Sequence, residues 1–315
     1  MLLVVVLALA ACGGQAPFAR LAGVIVNGEL RELSGMAASR QHDGVLWVHN
    51  DGGHAPVVYA ISPRGRVLAR LHVDGVTKTD WEDMAAFEQD GRHYLLIADT
   101  GDNGGLRRTL QLHVIEEPAA IADARVHPLR TLTFRWPDGP RDCEAVAVDA
   151  AAGRILLVSK KQRPPELFSL PLDAPPGEVH VARLLGHLQG VPGPAPSAPD
   201  PRLAKVAGQV TAADISPDGR ELAVMTYRDV LFYPRAAGEE WATAVARPPR
   251  SHRLPTLLPQ AEALAWSAGG SGLFATGEFS PAPLFWLRPA EPDDDTVADD
   301  PGSDGHENGG ENPRG

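Results

Sequence analysis

A short pattern recurs five times along this chain and limits the folds that it can adopt. Each copy places polar or acidic residues before a large aliphatic residue, which alanine or serine follows. The copies are residues 32–37, 80–85, 142–147, 211–216 and 260–265, so their spacing runs from 48 to 69 residues. A repeat of this length is typical of a ring or array of similar structural units.

Turn residues and two further apolar runs follow every copy. The turns contain Asp-Gly, Gly-Gly or a single glycine, which favour tight hairpins. The second runs are residues 45–48, 94–97, 155–158, 222–225 and 273–275, and the third runs are 57–61, 110–114, 167–170, 230–233 and 284–287. Three or four short strands in a unit of about 50 to 70 residues indicate a β-propeller blade. The sequence therefore predicts an all-β protein with a five-bladed β-propeller over residues 19–290.

Two alternatives to this fold stay open. A sixth, degenerate blade could lie within residues 176–209, and an irregular β-sandwich would use the same strands. The last repeat lacks a clear fourth run, and we expect residues 19–25 to supply this strand, because ring closure removes exposed strand edges. Residues 116–125 stand outside the repeat and are predicted to form a short helix on a blade edge.

The N-terminus has the pattern of an export signal. Residues 1–11 are apolar, too few to span a bilayer but typical of a signal peptide. They end in Leu9-Ala10-Ala11-Cys12, which resembles the lipobox of bacterial lipoproteins. This resemblance implies cleavage after residue 11, lipidation of Cys12, a tether over 12–18 and attachment to the outer membrane or the cell surface. The alternative is an ordinary secretory signal followed by a chance cysteine.

The net charge of −11 is concentrated near the C-terminus, where residues 291–315 hold nine acidic residues and one arginine. We expect this segment to be a disordered acidic tail, because it has few residues that could enter a core. The rest of the chain offers no basic patch, which argues against nucleic-acid binding. We expect a monomer whose contact with the membrane is the lipid anchor alone.

Several motifs resemble those of bacterial secreted β-propeller proteins, a group identified as WD40-like or as esterase-like proteins of a phytase family. The motifs are residues 33–39, 80–85, 98–103, 137–145 and 213–219, and the resemblance covers roughly residues 20–290. A wider similarity links the blade pattern to calcium-dependent sugar-lactone hydrolases. The resemblance implies a propeller outside the cytoplasm, with hydrolysis as one possible activity.

Acidic residues lie where the first strand of each repeat begins and where the second ends. Because neighbouring strands are antiparallel, these positions meet at one mouth of the ring. The candidate ligands are Asp80, Glu82, Asp83, Asp99, Asp102, Asn103, Asp142, Glu144, Asp214 and Glu262. Other strand ends add His49, Asn50, Asp51, Lys160, Lys161, Arg228 and Glu278 to this mouth.

Oxygen ligands of this kind suit Ca²⁺ or Mg²⁺. The alternative is that the carboxylates bind backbone amides and join the blades without any ligand. The sequence has no nucleophile elbow, zinc-protease motif or phosphate loop, so no catalytic residue is assigned. We therefore expect the acidic mouth to bind a small ligand or an envelope protein through a divalent cation. The alternative is a metal-dependent hydrolase of a phosphoester, an ester or a lactone.

Overall fold

The computed structural model describes residues 17–194, 201–258 and 260–289. The predicted signal peptide, Cys12 and the acidic tail lie outside the described residues. Within them, the strands form five sheets that follow one another along the chain. The first strand of each sheet contacts the first strand of the next, and the last of them contacts the first, so the sheets form a ring. This arrangement confirms the predicted five-bladed β-propeller.

The strands are numbered in chain order, and each blade is given from the inside outwards. Blade 1 contains β2 (Leu33–Ala38), β3 (Leu46–Asn50), β4 (Val57–Ile61) and β5 (Val67–Val73). Blade 2 contains β6 (Trp81–Gln89), β7 (Arg92–Asp99), β8 (Leu110–Glu116) and β10 (Arg130–Arg135). Blade 3 contains β11 (Cys143–Asp149), β12 (Arg154–Ser159), β13 (Glu166–Pro171) and β15 (Arg183–His187). Blade 4 contains β16 (Val210–Ile215), β17 (Glu221–Thr226), β18 (Asp229–Pro234) and β19 (Arg250–Arg253).

Blade 5 joins the two ends of the described chain. It contains β20 (Ala261–Trp266), β21 (Leu273–Gly277), β22 (Ala282–Leu287) and β1 (Ala19–Ile25). Strand β1 pairs antiparallel with β22, so the N-terminal segment supplies the missing fourth strand as predicted. The described residues of 176–209 form β14 (Val179–Val181), β15 and helix α1 (Pro201–Val206), and not a sixth blade.

Short parallel strands tie neighbouring blades together at their outer edges. Strand β9 (Ala124–Val126) leaves blade 2 and pairs with β5 of blade 1, and β14 leaves blade 3 and pairs with β10 of blade 2. The helix predicted for residues 116–125 is therefore wrong. Instead, buried Glu117 accepts hydrogen bonds from the Ser39 hydroxyl and, at 2.8 Å, from the Trp47 indole, which turns this segment towards blade 1.

Five apolar layers hold the ring together, one between each pair of adjacent blades. The largest fully buried side chains are Trp47, Trp81, Trp241, Tyr233, Phe134, Phe168 and Phe232. Alanines of the first strands are buried near the axis, where the strands crowd and only small side chains fit. Helix α2 (Trp241–Ala244) packs against β15, and its Trp241 indole donates a 2.8 Å hydrogen bond to Asp149. No helix in the described part of the chain is long and apolar enough to cross a bilayer.

Candidate metal centre

A bulge interrupts the first strand of every blade at the same level of the ring. The pairing register shifts between Leu33 and Gly35, Trp81 and Met84, Cys143 and Ala145, Val210 and Ala212, and Ala261 and Ala263. A bulge re-aims the side chain that it carries. The bulges carry Ser34, Glu82, Glu144, Thr211 and Glu262, all of them buried. The same local irregularity in five strands thus sets a layer of polar side chains near one mouth.

The bulge also fixes how the repeats align. In blade 4 it falls at Thr211, two residues earlier than the sequence pattern suggested. Asp214 consequently lies further along β16, where its carboxylate accepts hydrogen bonds from the backbone amides of Ile215 and Trp266, each at 2.8 Å. Burial raises the pKa of Asp214 to about 6. The structure does not bring Asp214 to the acidic groups described next.

Two groups of three carboxylates each have oxygen atoms within 4.8 Å of one another. Asp51, Asp80 and Glu82 form the outer group, and Glu82, Asp142 and Glu144 form the inner group. Asp51 follows β3, Asp80 precedes β6, and Glu82 belongs to both groups. The outer group spans blades 1 and 2, and the inner group spans blades 2 and 3, so together they form an acidic cluster that could hold a metal ion.

Lysines neutralise the inner group. Lys160 contacts the Glu144 carboxylate, and Lys161 Nζ lies 2.7 Å from Asp142 Oδ2 in an ion pair without hydrogen-bond geometry. Asn103 holds Lys161 in place by accepting from it through its backbone and side-chain oxygens, at 3.1 and 2.9 Å. Two of the three inner carboxylates therefore have a direct positive partner.

Within the described residues, no lysine, arginine or histidine forms an ion pair with a carboxylate of the outer group. Lys78, which feels the charges of all three carboxylates, instead donates to the Asn50 carbonyl at 2.8 Å and lies 4.8 Å from the Trp81 ring centre. Burial, followed by the charge of Asp51, raises the pKa of Asp80 to about 6. Burial, followed by the charge of Glu144, raises the pKa of Glu82 well above its usual range. In both residues burial is the larger cause and neighbouring carboxylates add to it, while Arg107 acts against the shift of Asp80 and Lys160 against that of Glu82.

Two glycines leave room beside the outer group. A Cβ atom at Gly101 would collide with the carboxylates of Glu82 and Asp80, and one at Gly52 would collide with Asp80. Only glycine lets these two loops approach the carboxylates so closely. The carboxylates of Asp80 and Glu82 thus pack directly against the two glycine backbones, and a side chain at either position would displace them.

Asp99 and Asp102 build the loop beside this group. Asp99 accepts from the amides of Thr79 and Asp80, at 2.8 and 3.1 Å, and from Arg107 at 2.7 Å. Asp102 accepts from the amides of Leu106 and Arg107, at 2.7 and 3.0 Å. Asp99 thus positions Asp80 through its backbone amide, and Asp102 fixes the turn that follows Gly101.

Asp83 and Glu262 have other partners. The Asp83 carboxylate is buried and accepts from the amides of Met84, Val146 and Ala213. Glu262 accepts a 2.7 Å hydrogen bond from the Tyr227 hydroxyl, and burial raises the pKa of Glu262 to about 7. The Tyr227 ring lies 5.4 Å from Lys160 Nζ, so Glu262 adjoins the neutralised inner group.

The sequence interpretation did not select Asp51 as a ligand, and it did not assign Lys78 to this site. Asp51 was placed at the mouth only as one of many strand ends. Asp51 could have been recognised from its position, because it directly follows a second strand and precedes two glycines. Asp99 has a similar position before Gly101. Lys78 lies in the blade 1–blade 2 connection and outside the repeat, so no pattern marked it.

No family model matches this chain, and no curated protein matches it. The function is therefore inferred from the geometry and charge of the acidic cluster.

Proposed function

We propose that this propeller binds a divalent cation, Ca²⁺ or Mg²⁺, through Asp51, Asp80 and Glu82. The observation that carries the proposal is the convergence of these three carboxylates without an ion-pair partner among the described residues. Hard divalent cations prefer such oxygen ligands. Asp51 and Asp80 are half-buried, which leaves a route for the ion and for a further ligand.

The bound cation would complete a binding site for a small ligand or an envelope protein. Its open coordination positions would accept an oxygen of the ligand at this mouth. We favour binding over catalysis because the described residues contain no complete catalytic arrangement.

Metal-dependent hydrolysis of a phosphoester, an ester or a lactone is the second candidate. It is supported by Lys78, whose pKa burial lowers to about 8 beside the same carboxylates. A cation can polarise the substrate oxygen or activate water, and an amine that titrates near neutral pH can transfer a proton. Hydrolysis of such substrates that requires both the cation and Lys78 would favour this candidate.

Calcium should stabilise the purified protein, and EDTA should reverse the effect. At a concentration of 100 times the dissociation constant, linkage gives about 2.7 kcal/mol. This corresponds to a rise in melting temperature of about 5–10 °C for a domain of this size. Differential scanning calorimetry with Ca²⁺ and then Mg²⁺ measures the response.

Variants locate the site within the cluster. Asp51→Asn and the double variant Asp80→Asn with Glu82→Gln should lose the response, whereas exposed Glu88→Gln should keep it. If Asp51→Asn keeps the full response to calcium, the ion binds at the inner group and not at the outer group. If neither cation changes the melting temperature of the wild-type protein, the metal proposal is wrong. The cluster would then be a structural feature of the ring.

We also propose that Cys12 carries a lipid that anchors the protein outside the cytoplasm. The proposal is supported by Leu9-Ala10-Ala11-Cys12 and by the resemblance of the blade motifs to secreted propellers. Expressed with its own signal, the protein should partition into detergent, and Cys12→Ser should abolish this. Cys143→Ala is the matched control, because Cys143 is the other cysteine and is buried. Wild-type protein found wholly in the aqueous phase contradicts the anchor.

A further inference from the structure

A cavity of about 740 Å³ opens at the mouth of the ring opposite the acidic cluster. All five blades line it, through Arg40 after β2, residues 86–90, 148–151 and 215–219, and Ala268 after β20. Because these are the distal ends of the first strands, the cavity lies on the ring axis. None of Asp51, Asp80 and Glu82 lines it, so it is separate from the proposed cation site.

Apolar side chains form part of its wall. Phe87 and Ile215 are buried, and Val148 is nearly so. Side chains held by two strands of an inner ring have little freedom to collapse into the space. The volume falls within the range of about 300–1,000 Å³ that is typical of small-molecule sites.

Arg40 brings a positive charge to this cavity. Its Nε donates to the Ala86 carbonyl at 3.3 Å, which ties the side chain to β6. Across the described ranges, its two terminal nitrogens have no hydrogen-bond or ion-pair partner. Buried Asp214 feels the charge of Arg40, and its carboxylate is already bonded to two backbone amides. The flat donor pair of Arg40 is thus available to a ligand.

The other charged residues of the lining are engaged or exposed. Arg235 pairs with Asp149 at 2.7 Å and lies 4.1 Å from the Trp241 ring centre. Asp218 accepts from the Ser216 hydroxyl at 2.5 Å. Glu88 and Asp90 are exposed, so water screens their charges.

We propose that this axial cavity binds a small organic carboxylate with an apolar body. The carboxylate takes the two terminal nitrogens of Arg40, whose fork matches its two oxygens. The apolar body lies against Phe87, Val148 and Ile215. This is a binding site independent of the cation.

Benzoate and benzamide test the proposal, because they have nearly the same shape and differ in charge. Isothermal titration calorimetry of the purified protein should show saturable benzoate binding, with benzamide at least about tenfold weaker, since a charged bidentate pair is lost. Arg40→Gln should reduce benzoate binding to the benzamide level. Exposed Arg64→Gln should leave it unchanged, and so should EDTA.

Arg40→Lys provides the second variant. It keeps the charge and lacks the fork, so it should bind benzoate more weakly than wild type and more tightly than Arg40→Gln. Equal binding of benzoate and benzamide, no saturable benzoate binding, or full benzoate binding by Arg40→Gln would each overturn the proposal. Loss of benzoate binding on EDTA treatment would show that benzoate binding depends on the cation, which would overturn the proposal of an independent site.

Discussion

Replacing Asp83 by alanine should lower the free energy of unfolding by at least about 3 kcal/mol, because three buried amides would lose their acceptor. The Asp83 carboxylate accepts from Met84 at 2.8 Å, Val146 at 2.9 Å and Ala213 at 3.1 Å. These amides belong to the first strands of blades 2, 3 and 4. One side chain therefore joins three blades close to the axis. Urea denaturation followed by circular dichroism measures the loss.

Two further variants separate this role from a general charge effect. Burial raises the pKa of Asp83 well above its usual range, while the three amide hydrogen bonds act to lower it. Asp83→Asn keeps one oxygen acceptor and should be clearly milder than Asp83→Ala. Asp43→Ala removes an exposed carboxylate and should change stability by less than about 0.5 kcal/mol. An Asp83→Ala protein within about 1 kcal/mol of wild type would show that the blades are held without this carboxylate.

The blade architecture could be predicted because its determinants are local. Hairpins join neighbouring strands, so a turn such as Asp90-Gly91, which brings Gln89 opposite Arg92, already specifies the pairing. The closing strand could be predicted because the last repeat lacks a fourth apolar run and the largely apolar residues 19–25 near the N-terminus belong to no repeat. Both inferences need only strand counts and the requirement that exposed edges be covered.

The short parallel strands that tie neighbouring blades together could not be predicted, since their partners lie far away in sequence. Strand β9 has three residues and pairs with β5, about 50 positions earlier. Glu117 is fixed by Ser39 and Trp47, 78 and 70 positions away. Local propensity favoured a helix here, and long-range pairing overrode it.

The site was predicted as a region and not as a set of ligands. The repeat placed many carboxylates at one mouth, but their roles depend on partners. The ion pair of Lys160 with Glu144 follows from the β11–β12 hairpin, because its register brings the end of β12 next to Glu144. By contrast, the approach of Asp51 to Asp80 depends on how two blades pack and on the two glycines beside them. The bulge at Thr211, which moves Asp214 away from the group, leaves no mark in the composition of the repeat.

Deleting residues 19–25 should abolish cooperative folding. Strand β1 pairs with β22 from Ala19 opposite Leu287 to Ile25 opposite Ala282, so its loss exposes the edge of blade 5. Fully buried Ile25 also leaves the apolar layer between blades 5 and 1. Size-exclusion chromatography and thermal unfolding should show aggregated protein or a broad, non-cooperative transition.

A synthetic peptide of residues 17–27 tests whether ring closure, and not chain continuity, is what the segment supplies. The backbone of β1 lies close to the β4–β5 turn, since a Cβ at Gly23 would collide with Arg64 and one at Gly65 would approach the Val24 carbonyl at 2.5 Å. The strand therefore contacts blade 1 as well as β22, and the peptide should restore a cooperative transition when added to the deleted chain. A peptide of the same composition in scrambled order should not, because the register places Ile25 in the core and small Gly23 against the turn. Cooperative folding of the deleted chain without any peptide would show that the contact of β20 with β2 and the rest of the layer between blades 5 and 1 hold the ring, and that β1 covers an edge without closing the fold.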